Sequence, residues 1–161
     1  MTKISGKTVL ITGGAAGIGK LMGVSCLLKG ATKLIIWDIN EDTLNETAKE
    51  FSERGFKVSP YKVDVSNLEQ IQQAAALILK EGAVDILINN AGIVTGQPFY
   101  KQEARAITKT LAINVEAVMQ ISRVFLPAMI EQKSGHIVNI ASAAGMMSNP
   151  NMSVYAASKW A

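Results

Sequence analysis

One cysteine, Cys26, and one histidine, His136, are all that the 161 residues hold of the two side chains most used to bind transition metals. A disulfide within the chain is therefore impossible, and no metal-ligand cluster forms. Cys26 falls in an apolar helical stretch and reads as a packed small hydrophobe rather than a reactive thiol. His136 opens a strand, where a surface or structural position is the ordinary fate of a histidine. The 16 lysines and arginines against 13 aspartates and glutamates leave a net charge of +3. They are scattered, with no basic run and no interleaved aromatics, which argues against nucleic-acid binding. The N-terminal "MTKISGKTVLIT" runs straight into a strand, with no room for a signal peptide or membrane anchor. The expected location is cytoplasmic, where the sequons at Asn45 and Asn151 are chance matches. There is no internal repeat, low-complexity tract or linker, so residues 1–161 are expected to form one domain.

What is present is a core and an alternation of periods. Hydrophobic residues make up 48% and charged residues 18%, a globular balance. "KTVLIT" (7–12), "KLIIWD" (33–38), "KVSPYKVD" (57–64), "VDILINNA" (84–91) and "GHIVNIAS" (135–142) are short, rich in Val and Ile, and bounded by turn residues. They read as buried strands, with Pro60 confining the third to a sheet edge or to a shorter span. Between them lie helices. Asn40 caps one that buries Leu44, Ala48 and Phe51. Ser66 with Glu69 forms a capping box for another, whose Leu68, Ile71, Ala75 and Ile78 share a face. A long helical stretch covers 103–131, as one helix or two, with Pro127 expected to kink or end it. A final helix starts near Ser153. Strand and helix alternating in this way imply a doubly wound α/β fold with a parallel sheet, a Rossmann fold, whose ligands bind beyond the carboxyl ends of the strands.

The informative residues stand just after those strand ends. "TGGAAGIG" (12–19) places Gly13, Gly17, Ile18 and Gly19 between strand one and a helix. Glycines there allow a tight turn and let a pyrophosphate approach backbone N–H groups at a helix N-terminus. Asp38 closes strand two, 19 residues past Gly19. A carboxylate at that point can accept from ribose hydroxyls and repel a 2′-phosphate. No Lys or Arg occupies 13–19 or 36–42, which favours NAD over NADP. Asp64 and Val65 close strand three, within reach of an adenine. "NNAG" (89–92) closes strand four. Asn89 fits either a cofactor contact or a strand-end hydrogen-bond network, Asn90 is the better contact, and small Ala91 and Gly92 permit close approach. The chain ends on "SVYAASKWA", with Tyr155 and Lys159 one helical turn apart on one face.

Together, Gly13-x-x-x-Gly17-x-Gly19, Asn89–Gly92, a serine closing strand five and Tyr155-x-x-x-Lys159 resemble the short-chain dehydrogenase/reductase superfamily. The resemblance runs from about residue 7 to the end. "LPAM", "WDIN" and "ASAAG" are more loosely similar to members acting on steroids, retinol and other lipophilic alcohols. The resemblance implies that Tyr155 is the catalytic acid/base and that Lys159 binds the nicotinamide ribose and eases deprotonation of the tyrosine. It further implies that Ser142 orients the substrate and that Asn114 holds a proton-relay water. This chemistry is coherent. Reducing a ketone builds negative charge on oxygen, a proton must arrive there, and a free tyrosine with a pKa near ~10 needs a neighbouring cation to act at neutrality.

The expected function is NAD-dependent interconversion of a secondary or lipophilic alcohol and its carbonyl, with a small-molecule substrate and a homodimer or homotetramer as the assembled form. Two other readings remain: a nucleotide-binding module without turnover, and a methyltransferase using S-adenosylmethionine, which the Asn89–Gly92 segment with Tyr155 and Lys159 argues against. Sheets of this kind commonly carry six strands. Five are legible, so the chain is expected to continue past Ala161 and, as it stands, to be inactive.

Overall fold

The computed structural model describes residues 3–147 and 149–161. Five parallel strands form one sheet: β1 (Thr8–Thr12), β2 (Lys33–Asp38), β3 (Val58–Lys62), β4 (Ile86–Asn89) and β5 (His136–Asn139), in the order β3-β2-β1-β4-β5. The helices are α1 (Gly17–Leu28), α2 (Glu41–Glu53), α3 (Leu68–Glu81), α4 (Ala104–Leu111), α5 (Ala117–Glu131) and α6 (Ser153–Trp160). This is the expected Rossmann-like α/β architecture. The strand order turns back between β1 and β4, and a crevice at such a switch point is where these sheets take ligands.

Covering both sheet faces explains the unbroken apolar runs in the middle of β1, β2 and β4. β3 and β5, expected to be buried as well, are the edge strands and contain no fully buried residue. On one face, Leu10, Ile35, Trp37 and Leu87 pack with Ile71 and Ile78 of α3 and Ile121 and Phe125 of α5. On the other, Val9, Ile11, Leu34, Ile36 and Ile88 pack with Cys26 and Leu27 of α1 and Leu44 and Phe51 of α2. Pro60 lies within β3 opposite Ile36, at the sheet edge, where its missing N–H costs no ladder bond to a further strand.

Several local expectations shift. β4 stops at Asn89 and β5 at Asn139, so "NAG" and "IAS" leave the sheet as loops. Asn40 caps α2 as expected, accepting from the Thr43 N–H. The cap of α3 is Asn67, not Ser66: its side chain accepts from the Gln70 N–H. Ser66 is drawn instead to the Asp64 carboxylate, through both its N–H and its hydroxyl. Leu68 is exposed at the head of α3, and Ala74 joins Ile71, Ala75 and Ile78 on the buried face.

The stretch from 104 to 131 is one helical run interrupted by a π-helical turn at Ala112–Glu116. Pro127 lies inside α5 without ending it. The run is long and apolar enough to cross a membrane by length and composition. Its Ala117, Ile121, Phe125 and Met129 are buried in the core against α3 and the sheet.

Candidate active site

Two clefts open beyond the carboxyl ends of the strands and share Gly92 and Ile93. The first, about 220 Å³, is lined by Gly13, Trp37, Asp38, Asp64, Val65 and Ala91, among others. The second, about 280 Å³, is lined by Ile18, Asn90, Val94, Ser142, Tyr155 and Lys159, among others. The fold thus gathers residues from the ends of β1, β2, β3, β4 and β5, together with α6, along one continuous crevice.

The glycine loop is held from three sides. Gly13 and Gly17 have φ of +62° and +53°, the left-handed region where a side chain is strained. A Cβ on Gly19 would run into the Gly13 carbonyl oxygen and come within 2.6 Å of the Asn90 amide nitrogen. That nitrogen donates to the carbonyls of Thr12 and Gly13, each at 3.0 Å. Around Gly17, by contrast, a Cβ would meet nothing within 4 Å. Gly13 and Gly19 therefore let protein pack on protein, whereas Gly17 presents bare backbone to open space at the first turn of α1. No side chain caps that helix end and no acidic residue stands in its first turn. The cradle is shaped for an anion at a helix N-terminus.

Asp38 is both a wall of the first cleft and a brace. One carboxylate oxygen accepts from the Ala15 N–H at 3.1 Å, the other from the Asn40 N–H at 3.1 Å. A carboxylate has about four acceptor sites, so capacity for ribose hydroxyls remains. Asp64 is similarly engaged by Ser66 through one oxygen.

Asn89 is buried and bonds Ser122 at 3.2 Å and Asn139 at 2.9 Å. This is the strand-end network of the two readings left open for it. Asn90 lines the second cleft while its amide nitrogen is spent on the glycine loop.

In the second cleft, the Lys159 ammonium donates to the Ile140 carbonyl at 2.8 Å. The Ser142 oxygen accepts from the Ala144 N–H at 3.2 Å, which leaves its hydroxyl proton to donate elsewhere. Asn114 sits in the π-helical turn and is only 5% exposed. Its oxygen accepts from the Ile93 N–H, and its nitrogen donates to the Ile93 carbonyl and to the Ser158 hydroxyl, all at 2.9 Å. Both amide hydrogens are spent on protein. The side chain braces the loop after Gly92 against α6.

Sequence reasoning passed over Thr12, Thr47 and Ser158. The Thr12 oxygen accepts from both the Asn90 and Ala91 N–H groups at 3.0 Å, tying β1 to the loop after β4. The Thr47 hydroxyl on α2 donates to the Ala15 carbonyl at 2.8 Å. Thr12 had a signal, a polar residue closing an otherwise apolar strand directly before Gly13. Thr47 and Ser158 look like ordinary helical polar residues until folding buries them.

A family model described as short chain dehydrogenase matches residues 7–161. The chain is 43% identical over 159 residues to estradiol 17-beta-dehydrogenase 11 of Pongo abelii, covering 98% of this chain and 53% of that protein. It is 39% identical over 160 residues to epidermal retinol dehydrogenase 2 of Mus musculus, covering 98% and 52%. Among solved structures, a short chain dehydrogenase/reductase from Burkholderia phymatum in complex with NAD superposes with a TM-score of 0.95 at 36% identity, covering 99% of this chain and 57% of that one. A metagenomic short-chain oxidoreductase in complex with NADP gives 0.92 at 30% identity, covering 99% and 72%. The chain spans about half the length of the curated relatives it matches.

Proposed function

This chain belongs to the short-chain dehydrogenase family, and from that premise we propose that it interconverts a secondary or lipophilic alcohol and the corresponding carbonyl with NAD(H). The observation that carries the reading is the pair of adjoining clefts, joined at Gly92 and Ile93, that bring Gly13 and Ile18 of the glycine loop, the Asp38 carboxylate, Ser142, Tyr155 and Lys159 together.

The residues fit a dinucleotide. Asp38, Asp64 and Val65 would hold the adenosine end, and the Gly13–Gly19 loop with Ile18 the pyrophosphate. Asn90, Ala91, Gly92, Tyr155 and Lys159 would hold the nicotinamide end. A Cβ on Gly92 would lie 3.3 Å from the Asn114 oxygen and 3.7 Å from the Lys159 ammonium, so a side chain there would take up space beside the lysine. A bound nicotinamide supplies the two-electron redox chemistry.

The chain's own groups handle the proton. Tyr155 holds it on the phenol oxygen, passes it to a carbonyl oxygen in reduction, and accepts it from the alcohol in oxidation. The free hydroxyl proton of Ser142 bonds the same substrate oxygen and stabilises the charge that develops there.

Asp38 supports NAD over NADP: a second negative group beside this carboxylate is repelled, and no lysine or arginine occurs at 36–42 to offset it. The relatives named for estradiol and retinol support a lipophilic substrate. So do exposed Val94 on the cleft and exposed Met146 and Met147 directly after the Ser142 turn. The test is turnover of a panel of sterol, retinoid and short secondary alcohols with each dinucleotide, on the protein as its gene encodes it. NAD-linked oxidation that disappears in Tyr155→Phe is the expected result; NADP-linked turnover alone would overturn the cofactor assignment.

A further inference from the structure

We propose that Ser158 is the positioning residue that sets the roll of α6, and so aims Tyr155 and Lys159 into the crevice; the inference rests on the catalytic reading given above.

α6 has only eight residues, and its first turn is not capped by any side chain. Isolated helices shorter than about 12–15 residues are marginal, so this one takes its orientation from what it touches. Two of its residues are buried, Val154 at 6% exposure and Ser158 at 3%, four apart on one stripe. Tyr155 and Lys159 form the adjacent stripe, about 100° around the axis. Whatever fixes the buried stripe therefore fixes the direction of the reactive one. Val154 contributes apolar burial, which is not directional. Ser158 contributes hydrogen bonds, which are.

The Ser158 oxygen accepts from the Asn114 amide nitrogen at 2.9 Å, and its hydroxyl donates to the Tyr155 carbonyl at 2.7 Å. The direction of each bond is fixed by chemistry. Asn114 is oriented by Ile93, whose N–H faces the amide oxygen at 2.9 Å and whose carbonyl faces the amide nitrogen at 2.9 Å. A flipped amide would set donor against donor and acceptor against acceptor. The nitrogen must then donate to Ser158, which leaves the serine proton for the Tyr155 carbonyl. That back-bond to the preceding turn pins the serine rotamer with its lone pair toward Asn114.

The result is one buried node joining three segments: the loop after Gly92, the π-helical turn that carries Asn114, and the backbone of Tyr155 itself. Elsewhere, Gly145 sets how close α6 approaches, since a Cβ there would stand 2.5 Å from the Lys159 carbonyl oxygen. Ser158 sets which way the helix faces.

Ser158→Ala removes the node, and Ser158→Thr keeps the hydroxyl. In Ser158→Ala, measured well below its Tm, kcat for alcohol oxidation is expected to fall by about tenfold to a hundredfold with substrate KM little changed, the signature of misplaced reacting groups. Ser158→Thr should recover most of that rate. A purely structural serine would lower Tm and leave kcat alone, and that result would overturn the proposal, as would equal losses in the alanine and threonine variants. Should Ser158→Ala not fold, Ser158→Cys provides nearly the same volume with a weak hydrogen-bonding group; a folded cysteine variant at full kcat would likewise overturn it. No dinucleotide-linked turnover in the unsubstituted protein as its gene encodes it would defeat the oxidoreductase reading and this inference with it. Full turnover in Tyr155→Phe would leave that reading standing but remove the tyrosine that Ser158 is said to aim, and so overturn the inference alone.

Discussion

The Lys159 ammonium is bonded to the carbonyl oxygen of Ile140 at 2.8 Å, so the one cation lining the second cleft is tied to the backbone just past β5. An ammonium has three donors. One is taken by Ile140, and the others are available to a ribose hydroxyl or to solvent. Lys159→Ala removes charge, tether and donors together. NADH affinity and turnover should both fall, whereas Tyr155→Phe should lower kcat by about a hundredfold or more with NADH affinity nearly intact. Fluorescence titration of NADH alongside steady-state kinetics separates the two. Unchanged NADH affinity in Lys159→Ala would remove the lysine from the cofactor site.

Asp38 carries two functions that different substitutions can split. Asp38→Ala deletes the bond to the Ala15 N–H along with the negative charge, so binding of both dinucleotides should suffer from a loosened loop. Asp38→Asn keeps one carbonyl acceptor but loses the charge. It should bring the NADH and NADPH dissociation constants together chiefly by improving NADPH. Equal affinity of the unsubstituted protein for the two would refute the assigned preference.

Thr47 tests whether the loop must be held from α2. Its buried hydroxyl donates to the Ala15 carbonyl, the same residue whose N–H Asp38 accepts. Thr47→Val is close to isosteric and leaves that carbonyl without its partner, a cost of about 1–3 kcal/mol. Weaker NADH binding together with a lowered Tm is the expected outcome. A lower Tm with unaltered NADH affinity would mean that the hydroxyl serves packing alone.

These bonds mark the boundary of what the sequence could reveal. Period and composition disclose β1 to β5, because burial on both faces demands unbroken runs such as Leu34–Trp37. The glycines, Asp38 and the Asn89–Gly92 turn stand out because they follow the carboxyl ends of strands, where such sheets take ligands, and the Tyr155–Lys159 pair because its spacing puts both on one helix face. The helix caps were legible only to within one position, since Ser66 and Asn67 are both good caps and the Asp64 carboxylate decides between them. Pro127 was expected to kink or end the helix; it does not end it, and Phe125 and Met129 on either side are packed into the core. Long-range bonds had no local signal at all. Asn114 to Ile93 and Ser158 to Asn114 link residues 21 and 44 positions apart.

Gly17 and Gly19 sit two residues apart and should fail in different ways. Gly17→Ala meets no neighbour but must hold a φ of +53°, a strain of about 1–2 kcal/mol. The fold should survive, with NADH affinity reduced because a methyl group now covers the open backbone. Gly19→Ala would drive its Cβ into the Gly13 carbonyl and the Asn90 amide, which are backbone and a pinned side chain rather than a flexible tip. α1 must then move away from β1, at an overpacking cost of about 1–3 kcal/mol or more. Chemical denaturation and NADH titration of the two variants distinguish these fates. Comparable stability loss in both would contradict the division between a packing glycine and a ligand-facing one.

Cys26 supplies a pH-dependent prediction independent of the site. Burial raises its thiol above the ordinary value, opposed in part by the nearby Lys29 charge. In the folded state the proton is therefore held to higher pH than in the unfolded chain. The stability this contributes is fully present below the unfolded thiol pKa and is lost as pH rises through the folded value. Two measurements follow. Iodoacetamide should label Cys26 slowly in the folded protein near pH ~8.5, the unperturbed thiol pKa, and rapidly once urea unfolds it. Between that pH and more alkaline conditions, the unsubstituted protein should also lose stability relative to Cys26→Ala, which has no thiol to ionise. Labelling at the same rate folded and unfolded, or parallel pH–stability curves for the two proteins, would show that the thiol is not held protonated in the α1 packing layer.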